Sequence, residues 1–194
     1  MVAMGLSDPD DVAAYDELLP KVTVGTPDVL AGPVVLHGYD SSWPERYERA
    51  AARIAGALGA HAVRLEHVGS TSVPDLPAKP IIDIALEVPD SAAESAYVPA
   101  LEAAGYALWI REPDWFEHRL LKTPNRDVNL HVFSIGCSET ERMVRFRNRL
   151  RADSADRERY ARAKRELAAQ EWKYVQQYAD AKSEVIAEIL AVSG

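Results

Sequence analysis

A single cysteine, Cys137, stands among the 194 residues, so no intrachain disulfide can form and a reducing compartment is the expected home. No apolar run approaches the roughly 20 residues needed to span a bilayer. Met1 to Asp11 is acidic and lacks the basic flank and apolar stretch of a secretory signal. A cytoplasmic location with no membrane partner is therefore expected. No Cys/His set has zinc spacing, and Cys137 has no base near it in sequence to make it a nucleophile. Internal repeats and low-complexity segments are missing too. So is an excess of positive charge: 22 Lys and Arg stand against 30 Asp and Glu, a net charge of −8. That balance disfavours a nucleic-acid partner, whose phosphate backbone demands many Lys and Arg contacts.

What is present suits a folded core. Hydrophobic residues make up 47% and charged residues 27% of the chain, enough for one domain of generous size. The charge is uneven: residues 1–60 carry 4 basic and 9 acidic groups, residues 61–138 carry 6 and 11, and residues 139–194 carry 12 and 10. Arg142, Arg145, Arg147, Arg149 and Arg151 fall in ten residues without an acid. They read either as a solvated helix face beside acidic neighbours or as an anion-binding face, since guanidinium pairs with phosphate through a planar fork. Helical spacing puts Arg147 and Arg151 on one face and Arg142, Arg145 and Arg149 on another.

Residues 1–33 read as a leader: a short acidic helix from Asp8 to Leu19, stopped by Pro20, then an extended connection rich in Gly and Pro. The main domain is expected over residues 34–194. Val34 to Leu36 reads as a short strand. A helix is predicted from Pro44 to Leu58, with Pro44 in its first turn, one apolar face and Gly59 at its end. Val63–Val68 and Ile81–Val88 read as strands. In the second, Ile82, Ile84, Leu86 and Val88 point one way and Asp83, Ala85 and Glu87 the other. Ser91 with Glu94 forms a capping-box pattern for a helix ended by Gly105. Tyr106–Ile110 and Glu117–Lys122 read as strands, and turn chemistry at residues 123–127 predicts a hairpin of 117–122 with 128–133. Asp127, Asn129 and His131 share its second arm's polar face. Ser138 with Glu141 opens a helical half, predicted as 139–151, 156–171 and 178–191. The plan is α+β: a mixed sheet to about residue 137, flanked by helices, then a C-terminal helical half over 138–194. Trp43, Trp109, Trp115 and Trp172 read as core or stacking residues.

One segment concentrates chemistry. A strand delivers the chain to Gly69-Ser70, where glycine permits close approach of the backbone to a ligand and neighbouring N–H groups can converge on an anion. Ser70, Thr71 and Ser72 add hydroxyl donors. Asp83 enters thirteen residues later on a strand whose other face is buried. A carboxylate beside a phosphate cradle is what a magnesium-nucleotide site needs. The plain alternative is an ordinary loop and a solvated aspartate. Lys79 lies one strand-length from Asp83 and suits a phosphate contact. His67 reads as a hydrogen-bonded structural group or a ligand-side residue. For His131, general base, metal ligand and phosphate donor all stand open, with the phosphate side preferred. Arg147, Arg151 and Lys182 are candidates to close the site from the helical half.

Glu66-His-Val-Gly-Ser-Thr-Ser-Val-Pro74 followed by Ala78-Lys-Pro-Ile-Ile-Asp-Ile84 resembles the signature of the GrpB family. Shorter likenesses extend through His37-Gly-Tyr-Asp-Ser-Ser-Trp-Pro44, Leu130-His-Val-Phe133, Phe146-Arg-Asn-Arg-Leu-Arg151 and Tyr178-Ala-Asp-Ala-Lys-Ser183, so the resemblance covers roughly residues 20–192. Similar domains also occur fused to dephospho-coenzyme A kinase. The resemblance implies a fold like the nucleotidyltransferases of the DNA polymerase beta type. It also implies a nucleotide or other phosphate-bearing ligand, magnesium as cofactor, and nucleotidyl transfer to an unidentified acceptor. In that pattern Gly69, Ser70 and Asp83 match, but Ala85 stands where the second carboxylate belongs. Glu87 lies one pleat further, roughly 7 Å along, and is the expected second metal ligand beside Asp83; Asp127 is the expected third carboxylate. Asp75 replaces a family Gly and Asn148 a family Asp. The competing expectation is a catalytically degenerate ligand-binding or interaction domain on the same fold. Use of the Arg142–Arg151 face on nucleic acid would show as salt-sensitive binding to oligonucleotides.

Overall fold

In the computed structural model, which describes residues 8 and 10–191, the strongest alternating segment becomes an inner strand of a five-stranded sheet. The strands are β1 (Arg64–Val68), β2 (Ile82–Val88), β3 (Ala107–Glu112), β4 (His118–Lys122) and β5 (Val128–Ser134), in the order β1-β2-β5-β4-β3. β2 and β5 run parallel and every other pair is antiparallel, so the sheet is mixed. The β4–β5 hairpin forms as its turn chemistry predicts.

Strand alternation divides the sheet as expected. Ile82, Ile84, Leu86 and Val88 join Leu130 and Val132 on one face, under Ala50, Ile54 and Leu58 of helix α2 (Trp43–Leu58) and Leu101 of α3 (Val98–Ala103). Trp43 seals that layer at 1% exposure. The other face carries the polar set, because parallel register puts Asp83 beside Asn129 and Ala85 beside His131. Over it lies the helical half: α4 (Ser138–Ala152), α5 (Ser154–Ala168), α6 (Val175–Asp180) and α7 (Ser183–Ala191). Among the described residues no helix is long and apolar enough to cross a membrane.

Several expected elements are corrected. Helix α1 (Val12–Val22) runs through Pro20 instead of stopping there. Proline there loses its own N–H bond and crowds the carbonyl four residues back, a cost that burial of Tyr15 and Leu19 offsets. Val34–Leu36 makes no strand; His37 alone exchanges backbone hydrogen bonds with Ala78. Ser91 caps no helix, because its hydroxyl and N–H both meet the Ser134 hydroxyl at the end of β5. Glu94 pairs instead with Arg111 and Arg119, and α3 starts only at Val98, with Pro99 in its first turn. Ser138 is already helical, and Glu141 reaches Arg64 rather than closing a box. The helix expected from 156 begins at Ser154 because Asp153 accepts from the N–H groups of Ala155 and Asp156. The last predicted helix is two, α6 and α7, with Lys182 at the break.

The leader, of which residues 1–7 and 9 lie outside the described residues, is knitted to the domain. The Tyr15 hydroxyl donates to Asp180 at 2.8 Å, Lys173 pairs with Asp16 at 2.7 Å, and the Val24 N–H donates to the Trp109 carbonyl at 2.8 Å.

Ile84 is fully buried between α2 and the sheet. Ile84→Ala is expected to cost about 3 kcal/mol, through lost burial and the cavity left behind. Urea unfolding checks this as a lower midpoint at unchanged slope; an unchanged midpoint would contradict the packing described.

Candidate functional site

β1 ends at Val68, and Gly69 turns the chain with φ +70° and ψ −175° into a short 3-10 turn, Ser70–Ser72. That backbone region belongs essentially to glycine. A second reason is contact: a Cβ on Gly69 would stand 2.9 Å from both Cβ and Cγ of Asp83. The bend and the acid therefore lie against each other, facing one cavity of about 220 Å³ between the polar face of the sheet and the helical half.

The turn is braced from behind. The Ser72 hydroxyl donates to the Gly69 carbonyl at 2.6 Å and the Thr71 hydroxyl to the Ile81 carbonyl at 3.0 Å. With the Thr71 proton so engaged, His67 Nε2 donates to Thr71 Oγ1 at 3.1 Å. His67 is buried and stacked on Tyr47, which keeps it neutral with its pKa pushed down to about 4. Arg147 reaches Glu66 at 2.7 Å and the His67 carbonyl at 2.9 Å, and Arg151 clamps the Ser72 carbonyl through two nitrogens. Arg142 and Arg149 pair with Glu139 and with Asp153 and Asp156. Four of the five clustered arginines thus have acid or carbonyl partners. Of the two that share a face, Arg151 holds the turn through Ser72, and Arg147 holds the end of β1 and also lines the cavity.

Inside the cavity Asp83 accepts from the Asn129 amide at 2.8 Å and faces His131 Nε2 at 3.8 Å. Burial pushes its carboxyl up, but the imidazole and amide opposite outweigh that and hold it at about 2. Around this one acid stand lysines. Lys79 follows the Ala78 bridge, Lys164 comes from α5 and Lys182 from the α6–α7 break. Lys182 sits 3.8 Å and Lys79 5.6 Å from the centre of the Tyr178 ring, a cation–π arrangement, and among the described residues no acid pairs with either. Lys164, 3% exposed, donates to the Pro77 carbonyl. Burial above all pushes the three ammonium pKa values down, that of Lys164 to about 7; Asp83 opposes the fall, while Lys122 repels Lys79, Lys79 and Arg165 repel Lys164, and Lys79 and Lys164 repel Lys182. Lys122 also lines the cavity but is paired with Asp28.

The structure brings together Gly69, Ser70, Thr71, Lys79, Asp83, His131, Arg147 and Lys182 of the expected set around the cavity. Glu87 and Asp127 require correction. Ala85 packs with Val68, Val144 and Met143, so an apolar plug stands between Asp83 and Glu87, which is buried at 4% exposure beyond it. Asp127 sits in the hairpin turn, bonded to Thr123 and facing Arg46. Neither lines the cavity. Among the described residues no group of three or more His, Cys, Asp or Glu could hold a metal ion. The donor set, one carboxylate among ammonium groups, does not fit the two-metal arrangement that the resemblance implies.

Sequence reading did not single out Lys164, Tyr178 and Asn129, which line the cavity. Lys164 had a signal: it shares a helical stripe with buried Tyr160 and Ala161, where a lysine is out of place unless it has work.

The family model described as "GrpB protein" matches residues 33–192. The chain is 58% identical over 175 residues to the UPF0157 protein BH1888 of Halalkalibacterium halodurans, covering 90% of each chain. It is 46% identical to the UPF0157 protein SCO7215 of Streptomyces coelicolor, covering 90% of this chain and 93% of that one. The crystal structure of conserved protein GrpB from Enterococcus faecalis superposes with a TM-score of 0.70 at 27% identity, over 82% of this chain and 99% of that chain. A shorter match, 40% identical over 86 residues, is to a dephospho-CoA kinase of Mycolicibacterium paratuberculosis, covering 43% of this chain and 21% of that one.

Gly69→Ala is expected to destabilise the fold by roughly 2 kcal/mol from the backbone region alone, with more from the contact with Asp83. Pairing it with Asp83→Ala should recover part of the loss, because the second change removes the carboxyl from the crowded contact. Chemical denaturation of the three variants checks this; strict additivity would contradict the contact. A second outcome concerns pH. The Asp83 carboxyl titrates near 2 in the folded chain and near 3.8 in a model peptide. The unfolded chain therefore takes up the proton first as pH falls. Ionised Asp83 stabilises by about 2 kcal/mol above pH 4, and this is lost as pH drops towards 2. Stability against pH should be flatter over that window in Asp83→Asn than in the wild type.

Proposed function

This chain belongs to the GrpB family, and we propose that it binds a nucleotide or other phosphate-bearing small molecule in the cavity between Gly69-Ser70 and the helical half. The observation that carries this reading is the charge inside: Lys79, Lys164 and Lys182 converge on a cavity lined by two acids, Asp83 and Asp28, of which Asp28 is already paired with Lys122 and Arg126. Held so close, ammonium groups repel one another and are costly to bury. A phosphate group relieves both costs, accepting from the lysines and from the Ser70 hydroxyl. His131 adds a neutral donor from the sheet. Asp83 organises the lysines and orients the ligand, and the Tyr178 ring keeps Lys79 and Lys182 facing inward.

The same charges argue for binding without two-metal transfer. The lysines here do what divalent cations do in a transferase, and Ala85 under Val144 supplies no second carboxylate. The degenerate ligand-binding module is therefore favoured over the nucleotidyltransferase, and magnesium is not required for the ligand to bind.

Calorimetric titration of a nucleotide panel, with magnesium and with a chelator, tests both points. Binding should persist in the chelator, and no labelled nucleotidyl group should be transferred to protein or added acceptors. Lys79→Ala and Lys164→Ala should each weaken affinity by about 10- to 100-fold, the worth of a hydrogen bond to a charged group. Because a phosphate raises the depressed ammonium pKa values, binding at pH 8 should take up protons, seen as an enthalpy that varies with buffer ionisation heat. That uptake should shrink in Lys164→Met. Saturable binding only with magnesium, or turnover abolished in Asp83→Ala, would reverse the assignment.

A further inference from the structure

Behind Asp83 a line of buried titratable side chains crosses the sheet, and ligand binding as described leaves most of it unused. Glu112 Oε2 lies 2.7 Å from His118 Nδ1, His118 Nε2 lies 3.1 Å from His131 Nδ1, and His131 Nε2 faces Asp83 Oδ1 at 3.8 Å. The members come from β3, β4, β5 and β2, neighbours in sheet order. Glu112, His118 and His131 are 4%, 0% and 6% exposed. Trp115 and Phe133 pack on the His118 ring and shield it.

The proton positions follow from the cavity end. Asp83 is ionised, and although 3.8 Å is beyond a hydrogen bond, its charge favours a proton on the Nε2 that faces it. Burial disfavours the charged form of both histidines, so each has one N–H. His131 Nδ1 is then an acceptor, and His118 Nε2 must be the donor to it. His118 Nδ1 is an acceptor in turn, and the group 2.7 Å away must bring a proton. Glu112 meets that demand as a carboxylic acid. Burial raises its pKa to about 8, and its Oε1 has no hydrogen-bond partner among the described residues, a place where a full charge would be stranded.

We propose that Glu112 and His118 are positioning residues that act through His131: a one-way line of hydrogen bonds fixes His131 as the Nε2–H tautomer aimed at Asp83 and the cavity. The line gives the cavity a donor and withholds a lone pair. His131 is thereby suited to an anionic oxygen and unsuited, through Nε2, to metal ligation or general-base work. The geometry carries this whether or not the cavity takes a phosphate.

Long-range proton–nitrogen correlation spectra of the nitrogen-15-labelled full chain at pH 7 test it. Both His118 and His131 should show the neutral Nε2–H pattern. Glu112→Gln, whose amide N–H still donates to His118 Nδ1, should retain that pattern in both rings. Glu112→Leu removes the donor, and the single tautomer of His118 and His131 should be lost. A wild-type His118 protonated on Nδ1 would overturn the proposal, as would a His131 pattern identical in the Gln and Leu variants. Should Glu112→Leu fail to fold, the wild-type and Glu112→Gln spectra still decide, because an Nδ1–H pattern in either ring contradicts the line.

Discussion

Asp83 and the bend at Gly69 occupy one another's space, and the site is organised around that contact. The strand that carries Asp83 is pinned by β1 and β5, and the bend can lie on it only because residue 69 has no side chain. Close approach of backbone and carboxylate leaves the acid facing a narrow space into which lysines from three other segments project. One acid cannot neutralise three ammonium groups, so the cavity is built with a deficit of negative charge. The deficit is local: the chain as a whole carries −8. Net charge describes how a protein meets its surroundings, whereas a ligand responds to the few groups within a Debye length of it.

The division of labour between the two kinds of cation follows their chemistry. Guanidinium groups offer several donors in a rigid fork; Arg151 uses that fork on the Ser72 carbonyl of the turn, and Arg147, at the cavity wall, spans Glu66 and the His67 carbonyl at the end of β1. Ammonium groups are compact and rotate freely, and those face inward, where the shape of the partner is set by a ligand. The transferase comparison is instructive in physical terms. A two-metal centre needs oxygen ligands a few ångströms apart on one face, and here that position holds Ala85 beneath Val68, Met143 and Val144. The same scaffold with lysines in place of metals still addresses phosphate, by direct charge-assisted hydrogen bonds.

The sheet's other buried polar groups fit the same logic. Glu112, His118 and His131 would each be costly alone. In sequence they are scattered, but the antiparallel register of β3 with β4 sets Glu112 opposite His118. Together they share two hydrogen bonds and face Asp83, with only Glu112 Oε1 left without a partner among the described residues. Buried polar networks of this kind rigidify what they touch when every member is satisfied.

Much of the scaffold was legible from residue pattern. The period-two alternation of Ile82–Val88, the hairpin turn at 123–127 and the apolar stripe of 43–58 are local signals, because each depends on which side of one strand or helix must leave water. The bend at Gly69-Ser70 and its acid at 83 were readable for the same reason. What failed was read from short polar matches. Ser91 and Glu94 looked like a cap until Ser134, Arg111 and Arg119 offered stronger partners from afar. Glu87 looked like a metal ligand because strand periodicity puts it on the face of Asp83, but periodicity is blind to the helix that plugs the space between. By itself, then, the sequence determined which faces are buried and where the chain turns back, since those follow from hydrophobic period and backbone freedom. Only the tertiary structure decided which charges meet. Lys79 stands 85 residues before Lys164 and Lys164 stands 18 before Lys182, and electrostatic energy depends on distance in space, to which their spacing along the chain is no guide.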